Sequence, residues 1–268
     1  MVIIKYLLFN GSPHKGNTWK LVELIHEQLQ KISPESIFEE VQLSDLNLPF
    51  CTGCSLCFRK GNEFCPHYKI IKKIIDKIDE SDGVIFAMTT FNMHPNALTK
   101  NLIDHLCYML HRPYFFKSKA IVITTTGGVG AKNAINYFTG WLKGIGFNYC
   151  YKLAIASYSW NDYKINKGTE VNCLKLAGQF HKDVSSKKMH TPSLAVLIPY
   201  NLFRGMSLGY VKGTDYETQD GVYWINPLRR KSIYDPSIKV PFYKKIFGSI
   251  FYIIGKLGSR FITITYKK

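Results

Sequence analysis

Residues 2–25 constrain the fold of this chain more than any other stretch. Val2 to Phe9 is an apolar run broken only by Lys5. A turn of small polar residues follows, Asn10-Gly11-Ser12-Pro13-His14-Lys15-Gly16-Asn17-Thr18. From residue 17 to 31, Leu21, Leu24, Ile25 and Leu29 recur at the three-and-four spacing of an amphipathic helix. A strand, turn and helix in this order put free backbone N–H groups and a positive helix end at the carboxyl end of a strand, which suits a phosphate. Gly11 and Gly16 let the backbone approach an anion closely, and Ser12, Asn17 and Thr18 offer side-chain hydrogen bonds. The same residues also fit an ordinary strand-to-helix connection with Asn17 or Thr18 as the helix cap. The glycine spacing is neither that of a P-loop nor Gly-x-Gly-x-x-Gly, so neither a nucleoside triphosphate site nor a Rossmann dinucleotide site is indicated.

The alternation continues. Ser36–Leu43 reads as a second strand, and the spacing of Ile70, Ile71, Ile74, Ile75 and Ile78 predicts a helix over 68–79. Gly83–Met88, Ala120–Thr125 and Tyr149–Ala156 read as three more strands. Helices are expected from Pro95, as a first-turn residue, to about Leu110, and over 131–143 and 168–185. The strands are apolar throughout rather than alternating, which argues for a parallel sheet covered on both faces. Five such strands fit an α/β doubly wound sheet of order 2-1-3-4-5, with ligands at the carboxyl ends near the switch point. This domain is expected to span 1–188.

Residues 189–268 break the rhythm. Pro192, Pro199, Pro227, Pro236 and Pro241 interrupt them, aromatic residues are frequent, and from residue 190 onward twelve Lys/Arg stand against four Asp/Glu. An irregular basic extension is expected, ending in an amphipathic helix at 242–262. There Ile246, Phe247, Ile250, Phe251, Ile254, Leu257 and Phe261 form an apolar stripe, with Lys244, Lys245, Lys256 and Arg260 toward the other side. Packing of the stripe on the domain or a second subunit is the favoured expectation; a peripheral membrane contact is the alternative. The net charge of +16 would attract any anion. Without a nucleic-acid motif, no nucleic-acid partner is expected. No leader pattern or membrane-spanning run is read. Seven cysteines, four of them clustered, fit a reducing cytoplasm better than a disulfide scaffold.

Those four are Cys51, Cys54, Cys57 and Cys65. Thiolates at such short separations suit a [4Fe–4S] cluster; zinc fits less well, and a loop of free thiols is the plain alternative. Cys107, Cys150 and Cys173 read as small buried apolar residues.

Three loops fall at the carboxyl ends of strands one, three and four: Gly11–Thr18, Thr89–His94 and Thr125–Gly130. With Leu43-Ser44-Asp45-Leu46 ahead of Cys51-Thr52-Gly53-Cys54-Ser55-Leu56-Cys57, the chain resembles the flavodoxin-like NAD(P)H-dependent FMN reductase and iron-sulfur flavoprotein family over roughly residues 1–160. The resemblance implies an FMN-dependent oxidoreductase. NAD(P)H would supply hydride, and a quinone, flavin, metal or protein would take the electrons; a non-catalytic flavin and iron-sulfur electron carrier is the alternative. It also implies that Ser12, Lys15, Asn17 and Thr18 hold the FMN phosphate. Thr89, Thr90, Phe91, Asn92 and Met93 would meet the isoalloxazine ring, and Thr125, Thr126, Gly127 and Gly128 would form a third wall. The second loop has no proline where the family carries Ser-Pro-Val-Tyr, and Phe91 brings a ring without the tyrosine hydroxyl. A homo-oligomer is expected.

Overall fold

The computed structural model of the chain describes residues 3–210, 217–259 and 261. Its centre is one sheet. Strand β1 (Lys5–Asn10) pairs in parallel with β2 (Ile37–Gln42) on one side and with β3 (Gly83–Phe91) on the other. Beyond β3 lie β5 (Lys119–Thr126) and β6 (Tyr149–Ala156), also parallel. The two-residue strand β4 (His94–Pro95) pairs antiparallel with the end of β3. Counting the five long strands in chain order, the order is the expected 2-1-3-4-5.

Alternate residues of each strand enter two separate cores, because successive side chains point to opposite faces. Leu7, Phe9, Val84, Phe86, Met88 and Val122 lie in one cluster with residues of α3 (Tyr68–Asp79), α4 (Ala97–His105) and α5 (Ala131–Gly144). Tyr6, Leu8, Ile85, Ala87, Ile121 and Ile123 lie in the other, with α1 (Asn17–Ile32) and α6 (Lys167–Ser185). Burial on both faces is why these strands carry unbroken apolar runs.

Two expectations are corrected here. Pro95 does not open a helix: it sits in β4, and α4 begins at Ala97, where the Asn96 side chain accepts the Thr99 N–H as a cap. The helix also stops at His105, and Cys107–Leu110 forms a separate 3-10 turn. The Asn92–Met93 turn that creates β4 has both residues in the left-handed region, at φ 49° and 67°. That geometry joins two antiparallel strands and left no clear mark in the sequence.

The extension is helical rather than irregular. It contains α7 (Leu194–Met206), α8 (Gln219–Ile225), α9 (Pro227–Lys231) and α10 (Phe242–Gly258). Pro199 lies inside α7. Its neighbours Leu197 and Tyr200 join Trp224, Tyr234, Ile238 and Val240 in a third core, into which Phe116 of the sheet domain inserts. The apolar stripe of α10 is not packed on the domain. Only Gly248 and Gly255 of this helix are buried, and Ile246, Phe247, Ile250, Ile254 and Leu257 are exposed. The reason is a close helix crossing. A Cβ on Gly255 would stand 2.3 Å from the Leu202 carbonyl oxygen, and one on Gly205 would stand 2.2 Å from that of Tyr252. Glycines therefore face α7, and the large side chains turn outward. The helix ends at Gly258, with Ser259 as its cap, short of the expected 262; Arg260 and Ile262 lie outside the described residues. Among the described residues, no helix is long and apolar enough to cross a membrane.

Candidate functional site

β1 and β3 are adjacent, but their chains leave in opposite directions: β1 connects to β2 and β3 toward β5. A crevice opens at such a divide, outside the carboxyl ends of the strands. The Gly11 N–H donates to the Ala87 carbonyl at 2.7 Å and closes its floor. A Cβ on Gly11 would fall 2.3 Å from the Thr99 hydroxyl, so only glycine fits between the loop and α4.

The first loop is preorganised by its own polar groups. The Asn10 side chain accepts the Ser12 N–H (3.0 Å) and donates to Gln42 (2.7 Å), which donates in turn to the Ser12 carbonyl (2.6 Å). Helix α1 is capped at Gly16, not at Asn17 or Thr18, and no side chain caps it. Its first N–H groups are thus left for another acceptor, as an anion site requires. Buried Thr18 shares a 2.6 Å hydroxyl hydrogen bond with Thr125, tying the first loop to the third.

Asn17 and Lys15 have partners of their own. Asn17 donates to the Ser159 carbonyl (3.2 Å) and accepts the Tyr163 N–H (3.1 Å). Both ends of its amide are occupied, so it fastens the loop after β6 rather than presenting a donor to a phosphate. Lys15 pairs with Glu40 at 2.7 Å and lies over the Trp19 ring. Both partners of this pair are well exposed, and such pairs contribute little and exchange readily.

The second and third loops face each other. Thr90 and Thr124 share a buried 2.8 Å hydrogen bond, and Asn96 donates to the Thr89 hydroxyl at 2.7 Å. Beyond these fixed residues Phe91 and Met93 project, 57% and 50% exposed. In the third loop Thr126 donates to the Val129 carbonyl (2.9 Å), and space above Gly128 is open. Trp160, which sequence reading passed over, lies beside Gly127: a Cβ there would sit 3.7 Å from its ring, yet the ring is 89% exposed. An aromatic residue on the loop leaving the last strand was the available signal. Polar loops, an uncapped helix end and an open apolar rim together match a ligand with a phosphate at one end and a flat ring at the other.

The cysteine segment, with the short helix α2 (Leu56–Arg59), lies beside this crevice. Asn101 of α4 accepts the Cys51 N–H (3.0 Å) and donates to the Leu48 and Pro49 carbonyls. His67 contacts His105 at 2.8 Å. Burial holds His105 below its usual value. Cys51 and Cys54 are exposed, and Cys57 and Cys65 half-buried. Burial raises the Cys65 thiol, and a hydrogen bond to the His67 backbone offsets part of that rise. Among the described residues, no three metal-ligating side chains converge as a formed metal site.

Cys107 is not a buried apolar residue, as its helical context had suggested. It is half-buried, like Cys57, and shares a hydrogen bond with Cys57 that lowers its own thiol and raises that of Cys57. The segment is also held from the extension. Arg112 donates to the Cys57 carbonyl (2.6 Å) and to Asp220 of α8 (2.7 Å), and His111 contacts the other Asp220 oxygen (2.7 Å). Neither Arg112 nor Asp220 stood out in the sequence, since they lie 108 positions apart.

The profile of the family described as NADPH-dependent FMN reductase matches residues 4–159, more than half of the chain. The chain belongs to that family. It is therefore an NAD(P)H-dependent FMN oxidoreductase of flavodoxin-like fold. An iron-sulfur flavoprotein of Clostridioides difficile (strain 630) is 28% identical over 182 residues, 68% of this chain and 80% of that protein. An iron-sulfur flavoprotein of Archaeoglobus fulgidus is 31% identical over 126 residues, 47% of this chain and 60% of its own length. The crystal structure of an azoreductase from Bacillus anthracis str. Sterne superposes with a TM-score of 0.53 at 17% identity, covering 66% of this chain and all of that one, a likeness of fold.

The Asp220–Arg112 contact gives a prediction. Both side chains are nearly buried, so Asp220→Ala strands a guanidinium and should cost about 3–5 kcal/mol. Chemical denaturation measures the loss, and faster alkylation of Cys57 in the native state should accompany it. A variant as stable as the parent contradicts the role assigned to this pair.

Proposed function

We propose that the crevice between the three loops holds FMN, with its phosphate on the first loop and its ring between the second and third. The observation that carries this is the uncapped start of α1 behind a loop fixed by Asn10 and Gln42. The N–H groups of that helix end, with the Ser12 and Thr18 hydroxyls, are the proposed phosphate donors. Asn17 acts indirectly by holding the Ser159–Trp160 segment, and Lys15 reaches the phosphate by leaving Glu40. Thr89, Thr90, Asn92 and the backbone of the hairpin line one side of the ring, with Phe91 and Met93 as apolar contacts. Thr125, Thr126, Gly127 and Gly128 line the other, where the absence of side chains leaves room for a flat ring.

When bound, FMN supplies acceptance of hydride from NAD(P)H and onward transfer of electrons. The protein's part is to bind and orient. Threonine hydroxyls already paired across loops need no reorganisation, and the exposed rim of Phe91, Met93 and Trp160 would be where nicotinamide and acceptor approach. The acceptor class proposed is a quinone, flavin, metal or redox protein.

Cys51, Cys54, Cys57 and Cys65 are the proposed ligands of one [4Fe–4S] cluster. Four soft donors within fifteen residues fit its chemistry, and the relatives named above are iron-sulfur flavoproteins. The segment must close further for all four to ligate. A cluster there would give the electrons a route from the flavin to a protein partner. Residues 1–188 are proposed as the redox domain and 189–268 as an appended unit. The seven unpaired thiols agree with a reducing, cytoplasmic setting. A homo-oligomer is part of the same proposal.

Calorimetric titration with FMN and riboflavin tests the phosphate loop. FMN should bind far more tightly than riboflavin, and Ser12→Ala should weaken FMN by about 1.5–3 kcal/mol while leaving riboflavin unchanged, whereas Thr18→Ala, which also frees Thr125, should weaken both. Equal affinity for the two ligands contradicts the assignment. For the cysteines, iron and sulfide assays after anaerobic reconstitution should give roughly four of each per chain, and Cys54→Ala should abolish this. A reconstituted chain with less than about one iron overturns the cluster.

A further inference from the structure

The α10 helix is amphipathic in the wrong sense for a water-facing element. With 100° per residue, Gly248 and Gly255 lie on one side, against α7, and Ile246, Ile250, Ile253 and Leu257 on the opposite side, farthest from the protein. Flanked by Phe242 and Phe247, these six side chains are 44–79% exposed. They line one face along the length of the helix, and an exposed apolar face of this kind marks an interaction site. In water, burial of the isoleucines rather than the glycines would be favoured by about 1.5–3 kcal/mol for each side chain. The opposite arrangement, small residues between helices and large ones outward, is the one helices adopt where hydrocarbon surrounds them.

We infer that the outward face of α10 lies on the surface of an anionic lipid bilayer and anchors the protein there peripherally. The helix has 17 residues, and no described helix can span, so the geometry is that of a helix lying in the interface. Charge selects lipid over a second copy of the chain. Lys245 and Lys256 are both exposed and both fall on the same flank of the apolar face. Arg230 and Lys231 are exposed on the neighbouring α9, and from residue 190 onward the chain carries a net charge of +8. Two such faces repel one another, whereas acidic headgroups attract both.

The test uses the full chain and vesicles of phosphatidylcholine alone or with about a quarter phosphatidylglycerol. The wild type should co-sediment with the anionic vesicles, much less with neutral ones, and should be released by salt. Ile250→Glu with Ile253→Glu should weaken binding at least about tenfold, since two charges would enter the apolar zone. Lys245→Glu with Lys256→Glu should remove the preference for anionic lipid. Circular dichroism and the unfolding midpoint show whether the variants fold; these outward positions touch no core. A wild type that binds neither vesicle overturns the inference. So does a wild-type dimer, seen by light scattering, that the isoleucine variant converts to monomer without any vesicle binding, because the face then belongs to a second copy.

Discussion

Everything at the candidate site depends on the divergence of β1 and β3 and on the hydrogen bond that closes its floor, Gly11 N–H to the Ala87 carbonyl. Two parallel strands whose chains turn opposite ways leave a crevice that no crossover helix can fill. The sheet is buried on both faces, so it cannot relax into that gap. The loops must therefore supply their own order. They do so through pairs of hydroxyls and amides: Thr18 with Thr125, Thr90 with Thr124, Asn10 with Gln42, Asn96 with Thr89. Each pair satisfies a polar group where water is scarce. Together they fix the walls before any ligand arrives, and that is what makes binding energy available for orientation.

The extension is coupled to this edge and not merely appended in space. Trp224 donates to the His111 carbonyl at 2.9 Å, Phe203 stacks on His111, and Asp220 holds Arg112 against the cysteine segment. The same unit that turns α10 outward thus braces the loop that carries the clustered thiols. If α10 rests on lipid, the cysteine segment and the crevice sit on a protein body held near that surface.

Much of this was legible in the sequence because the signals are local. The apolar runs of β1, β3 and β5 need burial on both faces, and no other fold class offers that to strands alternating with helices. The isoleucine spacing of α3 gave its limits, 68–79, without correction. What escaped was set by contacts distant in the chain. Nothing near Asn17 shows that its amide is spent on Tyr163, or near Lys15 that Glu40 lies opposite. The left-handed pair Asn92–Met93 was unreadable because methionine rarely occupies that conformation, which costs on the order of 1–3 kcal/mol. For α10 the limit is physical as well. Periodicity locates a stripe but does not say which side meets the protein, and two glycines outweighed eight large side chains.

The central claim is that the first loop and the start of α1 hold a phosphate as its dianion. Phosphorus NMR of FMN bound to the full chain tests it most directly. A free phosphate monoester takes up its second proton near a pKa of about 6. N–H donors and a helix end favour the charged form and push that value down. The bound resonance should therefore stay fixed as pH is lowered from about 8 to about 5, while free FMN titrates. A bound signal that titrates near 6 like the free ligand would place the phosphate in solvent and contradict the account.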